Sequence, residues 1–213
     1  MTAEPAGIWP YASPGIPDDL FRRGSCPMTK EEVRAIVLAK ARIGPAHTIY
    51  DIGAGTGSIA VEAARLARDG HAFAIEREAE RAELCRQNAA LFDCRNLTVV
   101  HGEAPAALDQ LPPAGRVIVG GSGGKLREIL RLADRKLGPG GRIVITAVSV
   151  ETLAGALAVL EEMGYEDEVV SVGVARARKT SGLRMWQALN PITIIAAARK
   201  QTAEPRDSAR GLK

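Results

Sequence analysis

Three carboxylates stand where they could hold a polar ligand: Asp51, Glu76 and Glu103. Asp51 sits in the apolar run Ile49-Tyr50-Asp51-Ile52, which leads into Gly53-Ala54-Gly55-Thr56-Gly57-Ser58. This reads as a buried strand entering a tight turn that opens a helix. Gly53, Gly55 and Gly57 admit positive φ and close backbone approach, so a ligand can lie against the main chain. The Asp51 carboxylate can receive an ammonium group, directly or through a water. Glu76 follows His71-Ala72-Phe73-Ala74-Ile75, where it can accept both hydroxyls of a ribose. Leu97-Thr98-Val99-Val100 leads to Gly102-Glu103-Ala104, a third strand end beside an acid. A glycine-rich turn alone is weak evidence, because ordinary βα turns also use glycine. Three strand ends with fitting chemistry make a stronger signal.

Two glycine-rich patterns compete. The dinucleotide fingerprint is G-x-G-x-x-G with an acid about 20 residues on. Here Ser58 stands where its third glycine would be, and Asp51 precedes the first. The segment is similar to the D-x-G-x-G-T-G motif of S-adenosylmethionine (SAM) methyltransferases with a Rossmann-like sheet. In such enzymes the third strand end usually holds the adenine edge, here Glu103-Ala104.

These residues need rigid elements to position them, and the periodicity supplies an alternating series. Strands are expected at about 48–52, 71–76, 97–101, 115–119 and 141–147. Helices are expected at about 57–69, 78–92, 124–137 and 151–163, with a short one at 104–110. Thr29 with Glu32 matches a capping box, so another helix should start there, ahead of the first strand. Gly138-Pro139-Gly140-Gly141 reads as a turn feeding the fifth strand. Val169–Val174 and 191–195 read as two late strands closing the sheet as an antiparallel pair, while 175–189 reads as basic and irregular. The fold class is therefore α/β: a Rossmann-like SAM-dependent methyltransferase fold, with a seven-stranded mostly parallel sheet and an antiparallel last strand. Ligands in such a sheet bind beyond the carboxyl ends of the strands. Residues 1–28 read as an N-terminal arm that packs on something, given Trp9 and Tyr11; 29–199 read as the methyltransferase domain, and 200–213 as a disordered tail.

The 213 residues suit one domain with short extensions. Aromatic residues are only 4%, which disfavours a base-stacking platform, and the net charge of +3 brings no basic run, so no nucleic-acid partner is expected. Cys26, Cys85 and Cys94 lack metal-ligand spacing and read as reduced thiols of a cytoplasmic protein, with no metal site. His47, His71 and His101 fall at strand edges and turns and read as structural. Without a leader pattern or a long apolar run, neither export nor a membrane is expected.

The expected fourth strand ends in Val119-Gly120-Gly121-Ser122-Gly123-Gly124. It offers no acid or amide to orient an amine and no cysteine to attack a pyrimidine. The reacting atom should already be nucleophilic, and the small loop should admit something bulky. Ile16-Pro17-Asp18-Asp19, Thr29, the glycine turn, Gly102-Glu103-Ala104-Pro105, this loop and Gly140-Gly141-Arg142-Ile143 together resemble the decarboxylating precorrin methyltransferases over residues 15–198. Those enzymes of cobalamin biosynthesis methylate carbon 15 of a precorrin-6B-type tetrapyrrole and decarboxylate its ring C acetate.

The resemblance implies SAM as cofactor, held by Thr29, Asp51, Gly53, Ala54, Gly55, Thr56, Gly57, Glu76, Glu103 and Ala104. It implies an anionic tetrapyrrole substrate, for whose carboxylates arginines are suited. Arg22, Arg23, Arg176 and Arg178, with Gly120 and Gly121, are the substrate-binding candidates. Asp18 or Asp19 could handle a proton, and Ser122 could donate a hydrogen bond to a carboxylate. The family is tetrameric, so a homo-oligomer is expected. The rival readings are a SAM methyltransferase acting on RNA or a protein carboxylate, an NAD-dependent dehydrogenase, and a scaffold that keeps only the fold.

Overall fold

The computed structural model describes residues 8–199, so the expected tail at 200–213 and the first seven residues of the arm lie outside the described residues. Helix α1 (Glu31–Ala41) precedes β1 (Thr48–Ile52), and α2 (Ser58–Leu66), β2 (His71–Glu76), α3 (Ala79–Leu91) and β3 (Leu97–His101) follow. A short 3-10 turn, Ala106–Leu108, leads to β4 (Ala114–Val119), α4 (Leu126–Lys136), β5 (Leu137–Ala147) and α5 (Val150–Glu162). The chain ends in β6 (Tyr165–Val172), β7 (Ala175–Thr180), β8 (Leu183–Ala188) and β9 (Ile192–Arg199).

Seven strands form one sheet in the order β3-β2-β1-β4-β5-β9-β6. All neighbours are parallel except β9, which runs against both β5 and β6. This is the expected α/β sheet. Its core strands are buried on both faces because successive side chains point to opposite sides. Tyr50 and Ile52 join an apolar cluster with α4 and α5, whereas Ile49 joins one with α1 and α2. The strand order reverses at β1/β4, and a crevice opens there beyond the strand ends.

The arm is part of this body. Ile16 and Phe21 are buried in the same cluster as Val33 and Val37 of α1, and Phe21 packs on Phe92 with ring centroids 4.8 Å apart. Arg65 donates to the carbonyls of Trp9 and Tyr11.

Three local expectations are corrected. The capping box does not form: Lys30 is the N-cap of α1 and makes no side-chain cap, while Glu32 is drawn to Arg176 instead. The segment expected to be irregular, 175–189, holds the β7–β8 hairpin, turned by Ser181 and Gly182, both at positive φ as a two-residue hairpin turn requires. Its strands are almost wholly exposed, so they carry no alternation of burial for the sequence to reveal. The turn Gly138–Gly141 falls inside the range of β5, at a register shift against β4.

Candidate functional site

The glycine turn is clamped from two sides. The amides of Gly53 and Ala54 donate to the Ile75 carbonyl at the end of β2, and those of Gly120 and Gly121 donate to Ile52 at the end of β1. Gly53 has φ of 74°, and a Cβ there would lie 2.5 Å from the Gly121 carbonyl oxygen. Gly57, the N-cap of α2, has φ of 75°, and a Cβ there would lie 2.2 Å from Cys85 Sγ. A side chain at either position would push the turn out of place, which is why the sequence has glycine there.

Above this turn lies a cavity of about 550 Å³ beyond the ends of β1, β2, β4 and β5. Asp51 stands on its wall, and its Oδ2 is buried without a hydrogen-bond partner. Burial pushes the Asp51 carboxyl up to about 7; a backbone hydrogen bond from Ala60 opposes the shift and nearby Glu76 adds to it. A buried carboxylate oxygen without a partner is costly unless something else satisfies it. Glu76 is also buried; its Oε2 accepts from the Gly55 amide at 2.8 Å and its Oε1 from the Glu78 amide at 3.0 Å. Each oxygen keeps a second lone-pair direction for a ligand hydroxyl. Glu103 is exposed at the rim, and the hydrogen bond from Lys125 at 2.7 Å holds its carboxyl below the usual range. Ala104, Ala54, Gly55 and Thr56 complete this acidic half of the wall. Gly57 is not on it, but fixes the turn from behind. The geometry can hold a ligand carrying an amine near Asp51 and paired hydroxyls near Glu76.

The lip of the cavity comes from the arm. Cys26 and Thr29 line it, and a fully buried Arg34 holds the Thr29 end. Arg34 donates to Glu62 Oε1 and Asp18 Oδ1, both at 2.8 Å, and to the carbonyls of Thr29 and Ile16. Glu62 in turn accepts from the amides of Gly15 and Ile16. Because Glu62 belongs to α2, whose N-cap is Gly57, one ion network ties the lip to the glycine turn.

The remaining candidates divide. Gly120, Gly121 and Ser122 line the cavity. Asp18 does not: it pairs with Arg34 and with Arg176 at 3.0 Å. Burial raises its pKa, but these two guanidiniums bring it below the usual carboxylate range. A carboxylate so held suits a fixed anchor better than a proton carrier. Arg176 is likewise taken up by Asp18 and Glu32. Asp19 is exposed off the wall. Arg22 turns toward Gln87 on α3, Arg23 is exposed, and Arg178 projects from the hairpin, so none of the three lines the cavity. The cations on the wall are Lys30, Arg77 and Arg81 instead. Nothing in their sequence neighbourhood marked them; only the path of the arm over the strand ends and the start of α3 brings them there. The three histidines make local contacts, His47 with Gly44, His71 with Thr98 and His101 with the Arg77 carbonyl.

The family model for the precorrin methyltransferase domain matches residues 19–199. A protein of Sulfurisphaera tokodaii named "Probable cobalt-precorrin-6B C(15)-methyltransferase (decarboxylating)" is 42% identical over 184 residues, which are 85% of this chain and 96% of that one. The crystal structure of precorrin-6y C5,15-methyltransferase from Geobacter metallireducens superposes with a TM-score of 0.83 at 41% identity, covering 87% of this chain and 96% of that one. The structure of precorrin 8W decarboxylase from Methanobacterium thermoautotrophicum gives a TM-score of 0.82 at 35% identity, over 86% and 99%. With its cavity at the strand ends, its clamped glycine turn and these relatives, the chain belongs to the precorrin methyltransferase family.

Proposed function

We propose that this protein transfers a methyl group from SAM to carbon 15 of a precorrin-6B-type tetrapyrrole and removes the ring C acetate as carbon dioxide, in cobalamin biosynthesis. The observation that carries the reading is the orphaned, buried Asp51 Oδ2 on the wall of a cavity that also presents Glu76. An unpartnered carboxylate oxygen, an acid at the next strand end and a side-chain-free turn fit the ammonium, the ribose and the extended amino-acid edge of SAM. When bound, SAM supplies an electrophilic methyl group on a sulfonium that leaves as a neutral thioether.

The residues of the chain then bind, orient and exclude water. Asp51 receives the ammonium, Glu76 the ribose hydroxyls, and Ala104 and Thr29 flank the nucleoside. Gly120, Gly121 and Ser122 leave room for a bulky ring next to the methyl. Methylation takes an electron pair from the conjugated macrocycle, and loss of carbon dioxide returns one. No net proton is taken up or lost; one proton moves from carbon 15 to the former acetate carbon. Holding the two reactants in place and dry is then the protein's main contribution, and such positioning can be worth many orders of magnitude.

A homo-oligomer, a tetramer by family resemblance, belongs to the same proposal. Leu183, Met185 and Trp186 lie exposed on the β7–β8 hairpin, and a lone two-stranded ribbon is marginal in water without cover. Three free, buried cysteines suit a reducing cytoplasm. No helix among the described residues is long and apolar enough to cross a membrane.

The direct test is turnover: incubation with SAM and a precorrin-6B-type substrate, followed by mass spectrometry. A product that has gained a methyl and lost carbon dioxide supports the reading. SAM consumption with RNA but not with the tetrapyrrole would replace it with the rival methyltransferase.

A further inference from the structure

The cavity has two unlike halves. The acidic half, with Asp51 and Glu76, lies over β1 and β2. The other half lies over the end of β5 and the start of β9, and its wall is mostly apolar, Val33, Val148, Val174, Leu189 and Ile192, with Thr146 and Asn190 among them. The base of the hairpin forms its outer side, pinned by the Leu189 amide donating to the Val174 carbonyl at 2.8 Å.

Lys30 belongs to this second half. Helix α1 packs on β4, β5 and β9, and the carbonyls at its C-terminal end meet Arg116 in the first half of β4 and Arg142, its parallel partner on β5: Arg142 donates to Lys40 and Arg116 to Arg42. The helix therefore runs against β4 and β5 and along β9, and its first residues hang over the carboxyl ends of β4 and β5, beside the start of β9. Lys30, just before the first turn, and Val33, within it, line the cavity there.

Among the described residues, the Lys30 ammonium has no carboxylate within ion-pair distance. The acids beside it in the chain are engaged elsewhere. Glu31 accepts from the Asp18 amide, and Glu32 is held by Arg176 in two hydrogen bonds. The other wall cations sit differently. Arg77 is paired with Glu78 at 3.2 Å, and Arg81 lies on the first turn of α3, on the acidic side. A half-buried ammonium without a carboxylate partner on a mostly apolar wall is a place for an anion carried on an apolar body.

We infer that Lys30 anchors a carboxylate of the substrate, whose hydrophobic ring lies against Val33, Val148, Val174 and Leu189. This rests on the tetrapyrrole reading and replaces the arginines expected from sequence with a residue the cavity exposes. Asn190, also on this wall, offers an amide for a second polar group.

The test uses uroporphyrin, a stable tetrapyrrole bearing acetate and propionate carboxylates, titrated by its fluorescence against the full-length chain, with its methyl ester as control. Binding of S-adenosylhomocysteine (SAH) is measured in parallel by calorimetry. In Lys30→Met, uroporphyrin affinity should fall about tenfold or more. Lys30→Arg should keep it, the ester should not distinguish the variants, and SAH affinity should stay unchanged in all three proteins. Equal uroporphyrin binding by wild type and Lys30→Met overturns the anchor while leaving the proposed function standing. If wild type binds SAH but no uroporphyrin, the tetrapyrrole reading and the anchor fall together. If wild type binds uroporphyrin but no SAH, the cofactor assignment alone fails, and the Lys30 comparison still decides the anchor.

Discussion

Gly53 and Gly121 meet backbone to backbone: a Cβ on Gly53 would lie 2.5 Å from the Gly121 carbonyl oxygen and 2.7 Å from its amide nitrogen. The contact joins the turn after β1 to the loop after β4. Gly53→Ala adds this clash to a φ of 74°, so it should cost about 2–5 kcal/mol of stability, strain and overpacking together. SAH affinity should fall with it. Gly120→Ala is the comparison, because its Cβ would be 3.5 Å from the Gly53 carbonyl oxygen, an ordinary contact. Thermal unfolding of the two variants, with Gly120→Ala close to wild type in Tm, checks the account.

Asp51 gives a pH dependence with a definite sign. Its carboxyl is pushed up to about 7 from 3.8 by burial, so without ligand the protein holds a proton that the unfolded chain releases. The contribution of Asp51 to stability, read as the difference from Asp51→Asn, should therefore fall as pH rises from about 4 to about 7, the opposite of the usual carboxylate case. An ammonium brought against Asp51 favours the ionised form. SAH binding should therefore release a proton near pH 6 and tighten as pH rises toward 8. Calorimetry in buffers of different ionisation enthalpy reads the proton directly. Asp51→Asn should abolish both the proton release and the slope.

Arg34 is the anchor of the lip. Arg34→Met leaves Glu62 and Asp18 without their buried partner and should cost about 3–5 kcal/mol in urea unfolding. Arg176→Gln should act differently. Asp18 and Glu32 are both held below the usual range, Asp18 despite its burial and Glu32 chiefly by the hydrogen bond from Arg176. The stability they contribute is present above their unfolded values and is lost as pH falls through the lowered ones. Without Arg176, acid unfolding should begin at a higher pH, in the range below about 5.

The proposed oligomer would form through the exposed hairpin. Trp186 is 77% exposed and Met185 59%, on a ribbon whose Arg176 bonds to Asp18 and Glu32 of the body. Trp186→Glu with Met185→Glu should lower the mass measured by light scattering without moving the far-UV spectrum. A wild-type protein that is monomeric at micromolar concentration would remove the oligomer from the account.

Much of this was legible in the chain. The alternation of short β-branched runs with amphipathic stretches gave the sheet, and Asp51, the glycines and Glu76 pointed to the end where the cavity lies, because strand ends and turns are local features. The long-range pairings were not legible. Asp18 and Arg176 are 158 residues apart and meet only once the arm and the hairpin base are folded onto α1. Their residue types suggested chemistry, whereas their partners make them structural. Lys30 was hidden for the same reason. Its sequence reads as an ordinary helix start, and only the direction of α1 over β5 and β9 turns it toward the cavity.

The central claim is that Asp51 and Glu76 hold the amine and ribose ends of a SAM-type ligand. Calorimetric titration of SAH into wild type, Glu76→Gln and Glu76→Ala, with NAD titrated alongside, tests it most directly. SAH should bind wild type and lose about tenfold or more in affinity in Glu76→Ala and less in Glu76→Gln, and NAD should give no heat. Wild-type protein that takes NAD and ignores SAH would contradict it.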